Sequence, residues 1–284
     1  MPNTYFIAFE LIVYLLFLVC LRHAWRTGLD AVLRLVAASL FGVLLELATI
    51  WQLDAYSYGT FLVMIANVPL AIGVGWGTII YSAKLFSDAT SLPEWARPVL
   101  DGLLALNIDL AMDAVAIRLG MWDWGQGLDF QYFGVPYANF WAWFWVVLSF
   151  SAGWRWLSNM ASRSWRWGVP LGAIAIGLGG VLGTNYLIVY IVPSQLYEIT
   201  IALTLASALL VVLWRRPRLT ARLDAPPAFW VPFGFHAYFL AAGLISGTIL
   251  SPTILLAVSV VMFVVALVLH RSVLPYWRTN EHSG

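Results

Sequence analysis

Two aspartates four residues apart, Asp109 and Asp113, lie in the middle of an apolar stretch. On a helix that spacing puts both carboxyl groups on one face. Two carboxylates on one buried face repel when both are ionised, so one of the pair is expected to keep its proton at working pH. A carboxylic acid held neutral in this way donates a proton, and its ionised neighbour accepts one. Glu46 adds a third carboxyl group in a separate apolar stretch. Arg118 lies five residues beyond Asp113, about 140° around a helix, and is no obvious partner for it.

Each of these residues also has a plainer reading. Buried acids and amides hydrogen-bond between helices, and Asn67, Asn139 and Asn185 are read first as such bridges. Glu198 opens an apolar run and suits the start of a helix. His236 has no HxxxH or HxxE pattern around it, so it reads as a packed histidine rather than a metal ligand. Gly73 and Gly77 form a GxxxG, as do Gly179 and Gly183; in apolar helices this spacing lets backbones approach closely. No strand precedes either pair and no Lys-Ser/Thr follows, so neither is a phosphate cradle. Pro69 beside Asn67 is expected to kink its helix and free a carbonyl. Trp122, Trp124, Phe130, Tyr132, Phe133, Tyr137, Phe140, Trp141 and Trp143 crowd the end of the fourth apolar run and the start of the fifth. They form an interfacial belt or line a slot for a long apolar molecule, where ring faces would stabilise a transient cation.

The elements that must carry these residues are membrane helices. The chain is 62% apolar and 10% charged, against about 25% charged in soluble domains, so lipid rather than water is the expected solvent. Nine runs are long enough to cross: 5–21, 31–52, 60–86, 97–119, 138–158, 169–192, 196–214, 229–249 and 252–270. The count falls to eight if the segment around Tyr56 and Tyr58 re-enters the membrane. The runs are near-continuous rather than alternating, which excludes a β-barrel. The fold class is therefore all-α, a polytopic integral membrane helical bundle, and residues 1–284 are read as one domain. No Lys or Arg precedes the first run, so it is expected to be a retained span and not a cleaved signal. The single cysteine, Cys20, excludes an internal disulfide and suits a buried packing thiol. A net charge of +1 gives no reason to expect nucleic acid as a partner.

Charge sets the orientation. Arg22, Arg26, Arg34, Lys84, Arg97, Arg155, Arg163, Arg166, Arg215, Arg216, Arg218, Arg222, Arg271 and Arg278 all fall at one side of a nine-span bundle, and Arg118 alone at the other. The positive-inside rule places the larger set in the cytoplasm, with the N-terminus outside and the C-terminus inside. Residues 214–228 then form a basic cytoplasmic loop, residues 120–137 an aromatic external loop, and Thr279 to Gly284 a solvated tail. Counting inward from the external ends, Glu46, Asn67, Asp113 and Asn185 all lie about 10 Å below the outer interface. Four spans thus present polar groups at one depth, where an unpartnered ionisable group costs several kcal/mol.

The stretch from Leu106 to Val146 resembles the membrane-bound carotenoid biosynthesis protein family. The resemblance is carried by Asp109, Asp113, Gly120, Trp122, Trp124, Tyr132, Gly134, Pro136, Asn139 and Trp143. A looser second block comprises Glu46, Tyr56, Tyr58, Val68-Pro69-Leu70 and Trp76. Two positions depart from the family pattern: Ala114 stands where a proline usually follows the second Asp, and IWQLDAYSY replaces a Gly- and Phe-containing turn before the paired tyrosines.

The resemblance implies a carotenoid hydratase of bacterial or archaeal cell membranes. Such an enzyme adds water to the terminal double bond of an acyclic carotenoid or other long isoprenoid lipid and yields a tertiary alcohol. It implies no cofactor and no metal. Asp109, Asp113 and Glu46 are the expected catalytic residues. Tyr56, Tyr58, Asn67, Trp122, Trp124, Tyr132, Asn139 and Trp143 are the expected substrate-binding residues. Two other readings stand beside it: a non-catalytic carotenoid-binding or assembly subunit, favoured by the changed turn, and a proton-coupled transporter, favoured by intramembrane carboxylates. Against the transporter, no inverted repeat is visible, and no polar path enters the cytoplasmic half beyond His236. Oligomeric state is left open.

Overall fold

A computed structural model describes residues 3–53, 56–160, 166–219 and 225–271. Arg163, Arg222, Arg278 and the tail from Thr279 to Gly284 lie outside the described residues. The described chain contains nine long helices: α1 (Thr4–Thr27), α2 (Leu29–Leu53), α3 (Leu70–Asp88), α4 (Arg97–Arg118), α5 (Tyr137–Met160), α6 (Gly168–Tyr186), α7 (Tyr197–Arg215), α8 (Pro227–Ser246) and α9 (Thr253–His270). Seven are long and apolar enough to cross a bilayer; α4 and α5 are not among them.

The exceptions have a physical cause. α4 packs against α3, α5, α7, α8 and α9, and most of its side chains are buried in protein. A helix that meets protein on every side does not need an apolar surface for lipid, so it can carry Asp101, Asp109 and Asp113. The peripheral helices show the converse. Leu11, Leu15 and Leu18 form an exposed stripe on α1, and Val261, Val264 and Val268 another on α9. Apolar faces of this extent are stable only against lipid or another apolar surface.

Local signals fix the helix ends. Asn3 caps α1 by accepting the Tyr5 N–H (3.1 Å), and Gly28, at φ 126°, turns the chain directly into α2. Contacts between connections sort them to two ends of the bundle. At one end, Arg166 pairs with Asp30, the Arg218 N–H reaches Ser91 Oγ (3.0 Å), and Asn159 donates to Glu94 (2.8 Å). At the other end, the α2–α3 and α4–α5 connections form a short antiparallel ladder. It joins β1 (Ser57–Tyr58) to β4 (Trp122–Asp123), pairing Tyr58 with Trp122.

The third run begins later than its hydropathy suggests. Residues 60–69 are not helical: β2 (Met64–Ile65) and β3 (Val68–Pro69) make a tight hairpin, and α3 starts at Leu70. Pro69 caps the helix from outside and kinks nothing, because proline is tolerated where no i−4 carbonyl partner is needed. Asn67 is exposed at the hairpin tip and is not buried at the depth expected for it.

Of the two GxxxG pairs, one is a contact. A Cβ on Gly73 would lie 2.2 Å from Val43 Cγ2, and one on Gly77 would lie 2.0 Å from Ser39 Oγ, so α2 and α3 touch through bare backbone. Gly179 and Gly183 meet nothing within 4 Å.

An ionic network, buried at Arg155 and Asp101 and exposed at Asp88, occupies the end that holds the basic connections. Arg155 bonds to Asp101 (2.6 Å), Asp88 (2.9 Å) and Ser87 Oγ (2.7 Å), and Lys84 also pairs with Asp88. Buried polar groups therefore do enter this half of the bundle beyond His236, contrary to the expectation from sequence. None of these bonds reaches Asp109 or Asp113. Asp101 and Asp109 are separated by about 12 Å of helix, and the intervening turns of α4 carry the buried Leu104, Ala105, Leu106 and Ile108 together with Asn107, which bonds His236.

Candidate active site

The antiparallel ladder brings the Tyr56–Tyr58 segment beside the Trp122–Trp124 segment, at the C-terminal ends of α2 and α4 and the N-terminal end of α3. Several groups hold this cover in place. Glu10, fully buried on α1, accepts the backbone N–H groups of Leu62 (2.8 Å) and Val63 (3.3 Å). Arg118 donates to the carbonyls of Ala114 (3.1 Å), Leu128 (3.1 Å) and Phe133 (2.5 Å), so it clamps the aromatic connection and does not pair with an acid of the site. Gly134 is required at φ 96°, where a side chain would lie 2.6 Å from Ile117. Tyr132 donates its hydroxyl to the Leu110 carbonyl (2.8 Å) and packs on Phe140, which ties the connection to α4.

Beneath the cover lies a cavity of about 700 Å³, within the range that takes a drug-sized molecule. Its wall includes Glu46, Tyr56, Tyr58, Trp76, Asp113, Trp122, Trp124, Asn139, Trp143 and Asn185. The exposed lining residues Gly125, Gln126, Val189 and Tyr190 mark its mouth, at the aromatic connection and the turn between α6 and α7.

Two polar clusters face this space. In the first, Glu46 accepts three hydrogen bonds: from Tyr56 Oη (2.5 Å), Tyr58 Oη (2.7 Å) and Trp76 Nε1 (2.6 Å). Burial, and then the adjacent Glu46 carboxylate, push both phenols well above their usual range, so both keep the hydrogens they donate. The close approach of α2 and α3 sets the indole contact, since a Cβ on Gly42 would lie 2.6 Å from Trp76 Cβ.

In the second cluster, the Asn139 amide nitrogen bridges the two aspartates, at 2.7 Å from Asp113 Oδ2 and 3.1 Å from each Asp109 oxygen. Both carboxyl groups are buried, and among the described residues neither forms an ion pair. Two carboxylates joined by one neutral amide, with no cation beside them, cannot both carry charge cheaply. Asp113 faces the cavity, and Asp109 stands behind it, off the cavity wall.

The structure thus gathers Glu46, Tyr56, Tyr58, Asp113, Trp122, Trp124, Asn139 and Trp143 on one wall. Tyr132 supports the wall without lining it, and Asn67, exposed on the hairpin, does not line it. Glu198, in the first turn of α7, is approached by Gln131 from the aromatic connection (3.5 Å). His236 lies near the middle of α8, bonded through Nε2 to Asn107 (3.0 Å) and stacked on Phe263. Sequence reasoning passed over Glu10 as a support and treated Asn185 only as a helix bridge. Both are polar residues inside apolar runs, which is the signal that would have found them.

Among the described residues, no three His, Cys, Asp or Glu side chains converge as a metal site would require. Neither the curated proteins nor the solved structures contain a match to this chain. The profile of one protein family, described as carotenoid biosynthesis protein, matches residues 3–213. That span holds both clusters and the whole cavity wall except Phe235, and the chain belongs to the carotenoid biosynthesis protein family.

Proposed function

We propose that the protein is a hydratase that adds water to the terminal double bond of an acyclic carotenoid. The observation that carries this reading is the pairing of a cavity-facing acid, Asp113, with a carboxylate, Glu46, on one aromatic wall. Asp113, sharing Asn139 with Asp109, gives its proton to the end alkene. The tertiary cation that forms is stabilised by the ring faces of Trp76 and Trp143, which pack 4.2 Å apart, and by the Glu46 charge. Water adds to the cation and returns a proton to the aspartate pair. Glu46, with three donors on its oxygens, serves as a fixed counter-charge and not as the base. Tyr56, Tyr58, Trp122 and Trp124 shape the slot for the chain end.

The same reading takes all nine helices as membrane spans of a single domain, with the N-terminus outside and the cavity opening toward the outer leaflet.

The test is expression in a host that makes an acyclic carotenoid, with pigment mass as the readout. The wild type is expected to add one water. Asp113→Asn is expected to lower hydrated product about 100-fold or more, in the range of a lost general acid, and Asp109→Asn by less. Undiminished product from both variants overturns the reading.

A further inference from the structure

The proposed reaction needs a second substrate, water, held inside a cavity whose wall includes four indole and four phenol rings. A buried water keeps its place only with two to four polar partners. The carboxylates of the site are largely engaged already: Glu46 takes three donors, and Asp113 shares Asn139. Among the described residues, eight buried side-chain polar atoms have no hydrogen-bond partner, and two of them belong to residues on the cavity wall. They are Asn185 Nδ2 and Trp124 Nε1. Asn185 is 3% exposed, so its amide is sealed from solvent and lies against the cavity. Leaving such groups unpaired is costly and unusual enough to call for a ligand. The backbone here is unusual too. The turn that follows Asn185, Leu187–Ile191, is a π-helix, a widened form that recurs at functional sites.

We propose that the Asn185 amide and the Trp124 indole N–H hold the water that attacks the carbocation; this rests on the hydratase reading above. The indole N–H donates to the water oxygen. The amide donates through its nitrogen or, turned over, accepts a water hydrogen through its oxygen. In the turned-over arrangement one lone pair stays free to attack. The balance is then complete. The alkene π pair takes the Asp113 proton, the water oxygen forms the new C–O bond, and one water hydrogen passes to the aspartate pair and restores the acid. Without a held water, the cation has a competing exit: it loses a neighbouring proton and returns to an alkene.

That competition supplies the test. Wild type, Asn185→Leu and Trp124→Phe are incubated in D2O with an acyclic carotenoid bearing an isopropylidene end. Hydrated product and deuterium in recovered, unhydrated carotenoid are both measured by mass. The expected result is that each variant raises the ratio of deuterium exchange to hydration by roughly tenfold or more, the scale of one lost hydrogen bond in the transition state. Trp124→Phe removes the N–H and keeps an aromatic ring, so it answers the question if Asn185→Leu folds poorly. Hydration and exchange falling together, or hydration unchanged in both variants, overturns the water site alone. A wild type that neither hydrates nor exchanges overturns the hydratase reading and this proposal with it.

Discussion

Glu46 is held from three sides by side chains that come from the α2–α3 connection and from α3. A buried carboxylate survives only where its lone pairs are filled, and here two phenols and an indole fill them. Tyr56→Phe removes one donor and keeps the ring against Trp124, which lies 4.6 Å away. Hydrogen bonds to a charged group contribute about 1.5–3 kcal/mol. On the hydratase reading, Tyr56→Phe is expected to lower turnover by roughly tenfold or more while the melting temperature in detergent moves little. An activity equal to wild type would remove Glu46 from the chemistry. The pairing of Asp109 with Asp113 was legible from their spacing alone, because i and i+4 share a helix face whatever surrounds them. That Asp113 meets the cavity and Asp109 backs it was not legible, since rotation of α4 in the bundle depends on its neighbours.

At the scale of elements, the α2–α3 contact is the tightest backbone approach in the site, and it aims Trp76 at Glu46. Gly77→Ala places a methyl group 2.9 Å from the Ser39 Cα and is expected to cost about 1–3 kcal/mol. Gly183→Ala, which meets nothing within 4 Å, is expected to leave stability unchanged. Thermal unfolding of the two variants separates a used GxxxG from an idle one. The sequence cannot make that distinction because the spacing is identical. The ionic network gives a second contrast. Arg155→Leu strands the fully buried Asp101 and is expected to cost about 3–5 kcal/mol. Arg166→Ala breaks an exposed, solvent-screened pair with Asp30 and is expected to leave the melting temperature nearly unchanged. Equal melting temperatures for these two variants would show that the buried network is not a lock.

For the whole molecule, topology can be read by chemical labelling. Cys20 is fully buried, so single cysteines introduced elsewhere report cleanly. A membrane-impermeant thiol reagent applied to intact cells is expected to label Gln126→Cys, at the cavity mouth, and to leave Arg166→Cys unlabelled until the membrane is opened. The reverse pattern would invert the orientation drawn from the positive charges. Nine runs of hydropathy and nine long helices agree in number among the described residues, and the third differs in its start. Within residues 60–69, Phe61 packs on Phe6 and Phe9 of α1, whereas Leu62, Val63 and Ile65 are exposed, and none of the segment is helical. Hydropathy registers removal from water and does not say what replaces it.

The sequence by itself determined the all-helical membrane character, the helix-by-helix order, and which few polar residues stand in apolar surroundings. These follow from local composition, since each span must satisfy its own backbone in lipid. Only the tertiary structure decided which of those residues meet. Glu46, Asp113, Asn139 and Asn185 come from four helices and share one wall, whereas Asn67, assigned the same depth, turns away on a hairpin. Depth follows from counting residues along one helix. Lateral neighbourhood depends on how helices rotate and cross, and that is fixed by packing between segments far apart in the chain.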